Sequence, residues 1–182
     1  MEQFYLWYPI KPNRINQIFG NPDPKYLQLK LKGHNGIDFY ALRGAKVYAS
    51  HDGILTNEPV DSYGGHGATI VSSQGFDYKN SRAFFKTIYW HFLPIVVRKD
   101  GPVKVGDLIG YANNTGFTTG DHLHFGLKVL DEDYKNIEQN NGYLGAIDPS
   151  PYFNGFYSQD QEQVLSLYRR VILLLQKFLH DK

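Results

Sequence analysis

Between Ile37 and Val129 the apolar positions fall in short runs, IDFYA, AKVYAS, GILTN, ATIVSS, FFKTIYWHF, VVRK, LIGYA and HLHFGLKV, punctuated by Gly, Asp and Asn. Runs rich in Val, Ile, Phe and Tyr and bounded by turn formers predict strands, joined as hairpins and a meander rather than as βαβ units. Asp52-Gly53, Gly64-Gly65, Asp100-Gly101 and Gly106-Asp107 mark the reversals, because each supplies a residue that tolerates positive φ. The expected fold class is mainly β, an antiparallel sheet or β-sandwich. From Leu130 to Asn154 the chain turns polar and rich in turn formers, which predicts a surface loop returning to the sheet near Ile147. Beyond it Val164, Leu165, Tyr168, Val171, Ile172, Leu175, Phe178 and Leu179 recur every three to four positions with Arg169, Arg170 and Lys177 between them. That spacing predicts a C-terminal amphipathic helix. Two parts are expected: a domain over 1–155, and a helical segment over 156–182 that packs on it, meets a protein partner or self-associates.

The chain's 182 residues suffice for one sizeable core. With 19 Lys and Arg against 18 Asp and Glu, its net charge of +1 provides no broad field for a polyanion. Nonspecific nucleic-acid and membrane-surface binding are disfavoured on that ground. The absence of Cys removes disulfides, thiolate zinc sites, iron–sulfur clusters and Cys nucleophiles together. Chemistry is left to His, Asp, Glu, Ser and Tyr. The apolar run Val171 to Leu175 falls far below the roughly 18 residues of a bilayer span. The opening MEQFYLWYPIKPN has no basic leader ahead of an apolar stretch, so neither a membrane span nor a signal peptide is expected.

The histidines divide by grouping. His34 and Asp38 lie in Gly33-His34-Asn35-Gly36-Ile37-Asp38. A fully extended strand would hold their Cα atoms roughly 13 Å apart, too far to share an ion at about 2 Å from each. Asn35 and Gly36 permit a bend that folds His34 back over the face Asp38 presents. In Asp121-His122-Leu123-His124-Phe125, strand alternation points both imidazoles to one face and Leu123 with Phe125 to the other. One imidazole can coordinate a metal while its neighbour stands near a bound water or substrate, and the spacing leaves open which does which. In Ile88-Tyr89-Trp90-His91-Phe92, alternation puts Ile88, Trp90 and Phe92 on an apolar core face and Tyr89 with His91 on a polar working face. His51 and His66 in turns, and His180 near the C-terminus, have no grouped partner and are expected to face solvent. Three neutral or anionic ligands plus water make a catalytic zinc site with an open position. The helix-borne HExxH design is absent.

The ordered segments INQIFG, GHNGIDFYALRGAKVYASHDGIL and TIYWHFLPIVVRKDGPVKVGDLIGYANNTGFTTGDHLHFGL resemble the lysostaphin-type, LytM-like zinc endopeptidases that cut peptidoglycan cross-links. The resemblance runs from about Arg14 to Tyr152 and implies a LytM-like barrel-sandwich hybrid. It implies one Zn²⁺ per chain on His34, Asp38 and His124, with His91 and His122 as the catalytic pair. It further implies cross-link peptides of the cell wall as substrate, met in an extracellular or periplasmic setting or delivered by a phage. Some members place a Tyr near the oxyanion; Tyr26 and Tyr89 are the candidates here, and Tyr89 is expected on the cleft wall. The Gly64-Gly65 and Thr118-to-Asp121 turns and the 130–154 loop are expected at the cleft rim. Two other classes compete. One is a non-catalytic murein-binding or hydrolase-activating domain. The other is a lipoyl- or biotinyl-type carrier built on VKVGDLIGYA, which would need a modifiable Lys at an exposed hairpin tip that the sequence does not show.

Overall fold

The computed structural model describes residues 2–156. The helix expected between Gln161 and Leu179, and with it His180, lie outside the described residues. The elements are β1 (Leu6–Tyr8), β2 (Ile15–Gln17), α1 (Pro24–Gln28), β3 (Ile37–Tyr40), β4 (Lys46–Tyr48), β5 (Gly53–Asp61) and β6 (Gly65–Ser72). After these come β7 (Phe76–Tyr78), β8 (Ser81–Phe92), β9 (Gly101–Val103), β10 (Leu108–Tyr111), β11 (His122–Leu130), β12 (Ala146–Ile147), a 3₁₀ turn (Ser150–Tyr152) and β13 (Phe153–Phe156). The mainly β, antiparallel class expected from the sequence is what forms. A nine-stranded sheet runs β2-β3-β11-β8-β6-β5-β9, with β12 added beside β11 and β7 beside β8. Two small pairs complete the fold, antiparallel β4 with β10 and parallel β1 with β13.

Alternation decides what each face of the sheet carries. Ile37 and Phe39 of β3, Leu123, Phe125, Leu127 and Val129 of β11, and Ala83, Phe85 and Tyr89 of β8 all point into one buried cluster. Leu6, Val47 and Ile109 belong to the same cluster, so the two small pairs cover that face. Aromatic stacking reinforces the cover: Phe4 lies on Phe85 with ring centroids 4.0 Å apart, and Tyr8 on Phe153 at 4.3 Å. The opposite face of β3, β8 and β11 carries Asp38, Trp90, His122 and His124, all partly exposed. The polar segment after Leu130 does return to the sheet, through β12, where Ile147 pairs with Leu127.

Two expectations fail here. The apolar face of β8 is not Ile88, Trp90 and Phe92: Tyr89 is fully buried, while Ile88 and Trp90 are only half-buried on the opposite side. Alternation breaks at His91, whose φ is +66° where β6 and β8 slip register between His66 and Gly67. That left-handed residue turns the His91 ring away from the core side it would share with Tyr89, and returns Phe92 to the core. Tyr89 therefore does not line a cleft; its hydroxyl accepts from the Ser50 N–H at 3.0 Å and from the Thr87 hydroxyl at 3.1 Å. His51 is the second correction. It is buried rather than solvent-facing, with Nδ1 2.9 Å from the Asp52 carbonyl, Nε2 2.9 Å from Thr87 Oγ1 and its ring edge-on to Phe4.

Candidate metal centre

The antiparallel register of β3 and β11 sets Asp38 directly opposite His124. His34 precedes β3 in a loop, and the bend at Asn35-Gly36 carries it back over Asp38, as the spacing required. The loop is held by backbone bonds in both directions, Gly20 N–H to the His34 carbonyl at 2.8 Å and His34 N–H to the Asn21 carbonyl at 3.0 Å. His34 Nε2, His124 Nδ1 and Asp38 Oδ1 converge: the two nitrogens are 3.0 Å apart, and each lies 3.1 Å from the carboxylate oxygen.

This donor set fits zinc. Two imidazole nitrogens and one carboxylate oxygen fill three corners of a tetrahedron, and ligand atoms about 2 Å from a tetrahedral ion stand about 3.3 Å from one another. Among the described residues no Lys or Arg pairs with Asp38, so the ion-pair partners of this mostly buried carboxylate are three imidazoles, those of His34, His122 and His124. Burial alone would raise the Asp38 carboxyl, but hydrogen bonding to His124 and His34 outweighs it and holds the group far below the usual carboxylate range. Burial pushes the His124 imidazole down, against the pull of Asp38. An anionic Asp38 and neutral imidazoles are the forms that bind a cation.

Outer partners fix the rings. A carbonyl can only accept, so the 3.2 Å contact of His34 Nδ1 with the Ile18 carbonyl assigns the proton to Nδ1 and leaves the Nε2 lone pair facing inward. Tyr26 is not at the centre of the cluster. Its ring stacks on His34 with centroids 5.4 Å apart, and its hydroxyl donates to Gln17 Oε1 at 2.8 Å. Burial, with Asp38 and Asp23 nearby, raises the Tyr26 phenol well above its usual range.

His91 and His122 stand together beside the cluster, ring centroids 4.5 Å apart. His122 Nδ1–H donates to the Gly120 carbonyl at 2.8 Å, and its Nε2 lies 3.6 Å from Asp38 Oδ1. His91 Nδ1–H donates to the Thr115 carbonyl at 2.5 Å. Each ring thus keeps Nε2 free as an acceptor. Burial pushes the His91 imidazole down to about 4, with the Thr115 carbonyl acting against it and His122 and His124 with it.

Sequence reading did not single out Ile18, Gly120 or Thr115 as supports. Main-chain carbonyls leave no mark in residue types. Thr115 is placed by packing, since the Thr115-Gly116 turn lies on the Gly64-Gly65 turn. A Cβ on Gly65, whose φ is +67°, would stand 2.4 Å from the Thr115 carbonyl carbon. The Thr115 hydroxyl donates to the Phe92 carbonyl at 2.8 Å and accepts from the His66 N–H at 3.2 Å. His66 is half-buried at this turn. The 130–154 loop meets the loop that carries His34, where the Lys32 N–H donates to the Gly142 carbonyl at 3.0 Å, and Tyr143 packs against Phe19, ahead of α1, at 4.6 Å between centroids.

Residues 32–138 match the profile of Peptidase family M23. The chain belongs to peptidase family M23. Among curated M23 relatives, the peptidoglycan DD-endopeptidase ShyA of Vibrio cholerae is 35% identical over 143 residues, which are 77% of this chain and 31% of ShyA. This chain thus spans about a third of ShyA's length. A zinc-containing peptidase from V. cholerae superposes with a TM-score of 0.59 at 28% identity, covering 81% of this chain and 40% of that one. The catalytic domain of lysostaphin from Staphylococcus simulans shares the fold, with a TM-score of 0.51 at 23% identity over 82% of this chain and 91% of that domain. The LytM-like resemblance read from the sequence is borne out. Among the described residues no helix is long and apolar enough to cross a membrane.

Proposed function

We propose that this M23 domain is a zinc-dependent endopeptidase that hydrolyses peptide cross-links of bacterial peptidoglycan, acting in lysis or remodelling of the wall outside the cytoplasmic membrane. The observation that carries this reading is the convergence of His34 Nε2, His124 Nδ1 and Asp38 Oδ1 within 3.1 Å of one another, beside a pair of imidazoles with free Nε2 atoms. Relatives named as peptidoglycan DD-endopeptidases support the substrate class.

His34, Asp38 and His124 hold the metal. Zinc there would supply Lewis-acid polarisation of the scissile carbonyl and lower the pKa of a water to about 7. His91 and His122 move protons. Their Nδ1–H groups are tied to the Thr115 and Gly120 carbonyls, so neither ring can turn its Nδ1 to the substrate, and Nε2 is the atom that takes and returns a proton. His91 is neutral at pH 7, which suits it as an acceptor. With the rings 4.5 Å apart, one can take the proton of the attacking water while the other meets the leaving amine. Asp38 offsets part of the metal charge, and the Gly64-Gly65 and Thr115-Gly116 turns hold the rim on the His91 side.

The test is digestion of purified diaminopimelate-type and pentaglycine-bridged peptidoglycan by the zinc-loaded protein, with products read by mass. Release of cross-link fragments establishes the activity and identifies the bond. Failure to release anything from either wall, with the protein still sedimenting with murein, would replace the enzyme by a binding or hydrolase-activating domain.

A further inference from the structure

The face of the sheet that carries the metal centre continues away from it along β8 and β11. Their register is unbroken from His124 opposite Trp90, through Gly126 opposite Ile88, to Lys128 opposite Lys86. Leu123, Phe125, Leu127 and Val129 are in the core, so Lys128 stands on the same side as His124. Four residues of strand place it about 13 Å from His124. Gly126 lies between them and leaves that side of β11 without a side chain. Packing does not demand this glycine: a Cβ there would meet nothing nearer than Ile88 Cβ at 3.4 Å and Asn35 O at 3.8 Å.

Two like charges directly opposite each other on a sheet destabilise it unless something anionic offsets them. Glu58 lies 3.5 Å from Lys86 Nζ and also accepts from the Thr69 hydroxyl at 2.7 Å. Among the described residues no carboxylate pairs with Lys128, which leaves one uncompensated, half-buried cation on this face of the sheet. Burial, and then Lys86, press the Lys128 ammonium below its usual pKa, a cost that an arriving anion would reverse.

We propose that Lys128, with Lys86 beside it, is a carboxylate subsite that takes a free acid group of the cross-link peptide about 13 Å from the metal centre, the reach of roughly four extended residues. The proposal rests on the endopeptidase reading and narrows it. A glycyl bridge carries no side-chain carboxylate, whereas a directly cross-linked stem containing diaminopimelate does. The subsite selects the acid-bearing cross-link.

The experiment uses a fluorescently labelled, synthetic cross-linked dimer of diaminopimelate stem peptides with its carboxylates free, and the same dimer with them amidated. Binding to zinc-loaded wild type, Lys128→Gln, Lys128→Arg and Lys86→Gln is followed by fluorescence polarisation, and cleavage by mass in the same samples. Wild type binds the free-acid dimer at least ten-fold more tightly than the amide, Lys128→Gln loses that preference, Lys128→Arg keeps most of it, and Lys86→Gln loses part. Equal binding of both dimers by wild type, or an undiminished preference in Lys128→Gln, overturns the subsite. Preference without cleavage keeps the subsite and sinks the endopeptidase; cleavage without preference does the reverse.

Discussion

His124 and Asp38 oppose each other across β11 and β3, with Nδ1 3.1 Å from Oδ1. The side-chain period of a strand is two, so a one-residue slip of either strand would drive its own group into the core and expose Leu123 or Phe39 in its place. The candidate metal centre is thereby locked to the register that buries Ile37, Phe39, Leu123 and Phe125. Packing energy that holds the sheet also holds two of the three candidate ligand atoms, His124 Nδ1 and Asp38 Oδ1, 3.1 Å apart.

Asp38→Ala should fold, because Asp38 stands on the sheet face opposite the buried cluster, yet lose its metal. Losing a supporting outer partner already weakens metal affinity by about 10- to 100-fold, so removal of a ligand is expected to exceed 100-fold. Isothermal titration of zinc into metal-free wild type and variant checks this, and zinc should raise the melting temperature of wild type only.

Acidification should destabilise the fold through His51. Burial holds its imidazole at about 4 in the folded chain against an ordinary 6.5, so the unfolded chain binds a proton that the native chain refuses. Stability is therefore fully present above 6.5, falls as the pH drops towards 4, and loses nothing more from this group below that. The full window corresponds to about 3 kcal/mol. Urea unfolding of wild type and His51→Gln between pH 7 and 4 should show a clearly flatter pH dependence in the variant.

His51 also marks where sequence reading stops. Its SHDG setting reads as an exposed turn, and nothing in that string reveals the Thr87 hydroxyl and Phe4 ring that enclose it. Both neighbours are distant in sequence. By contrast, His122 and His124 were legible because strand period alone places them on one face, and the bend at Asn35-Gly36 because those residues permit it. His91 lies between these cases. Its proximity to the site was expected, but the alternation that seemed to deliver it was wrong, since Tyr89 takes the core side and a left-handed φ at His91 supplies the turn. Such a conformation in a non-glycine residue costs on the order of 1 kcal/mol or more and needs surrounding contacts to hold it.

Thr115 is one of those contacts. Thr115→Val leaves the Phe92 carbonyl and His66 N–H without their hydroxyl partner and should cost about 1–3 kcal/mol in stability. It should also loosen the carbonyl that orients His91, lowering kcat about ten-fold with KM little changed, while Thr115→Ser restores activity. Chemical denaturation and steady-state kinetics on a soluble cross-linked peptide separate the two effects.

The division of labour between metal holders and proton carriers is tested most directly by measuring zinc content and peptidoglycan cleavage in the same preparations of wild type, His91→Ala and His122→Ala. One zinc per chain is expected in all three, with cleavage by the variants reduced about 10²- to 10⁴-fold. Variants that still cleave at the wild-type rate, or that lose their zinc together with their activity, would contradict the assignment of His91 and His122 as proton carriers standing outside the metal's ligand set.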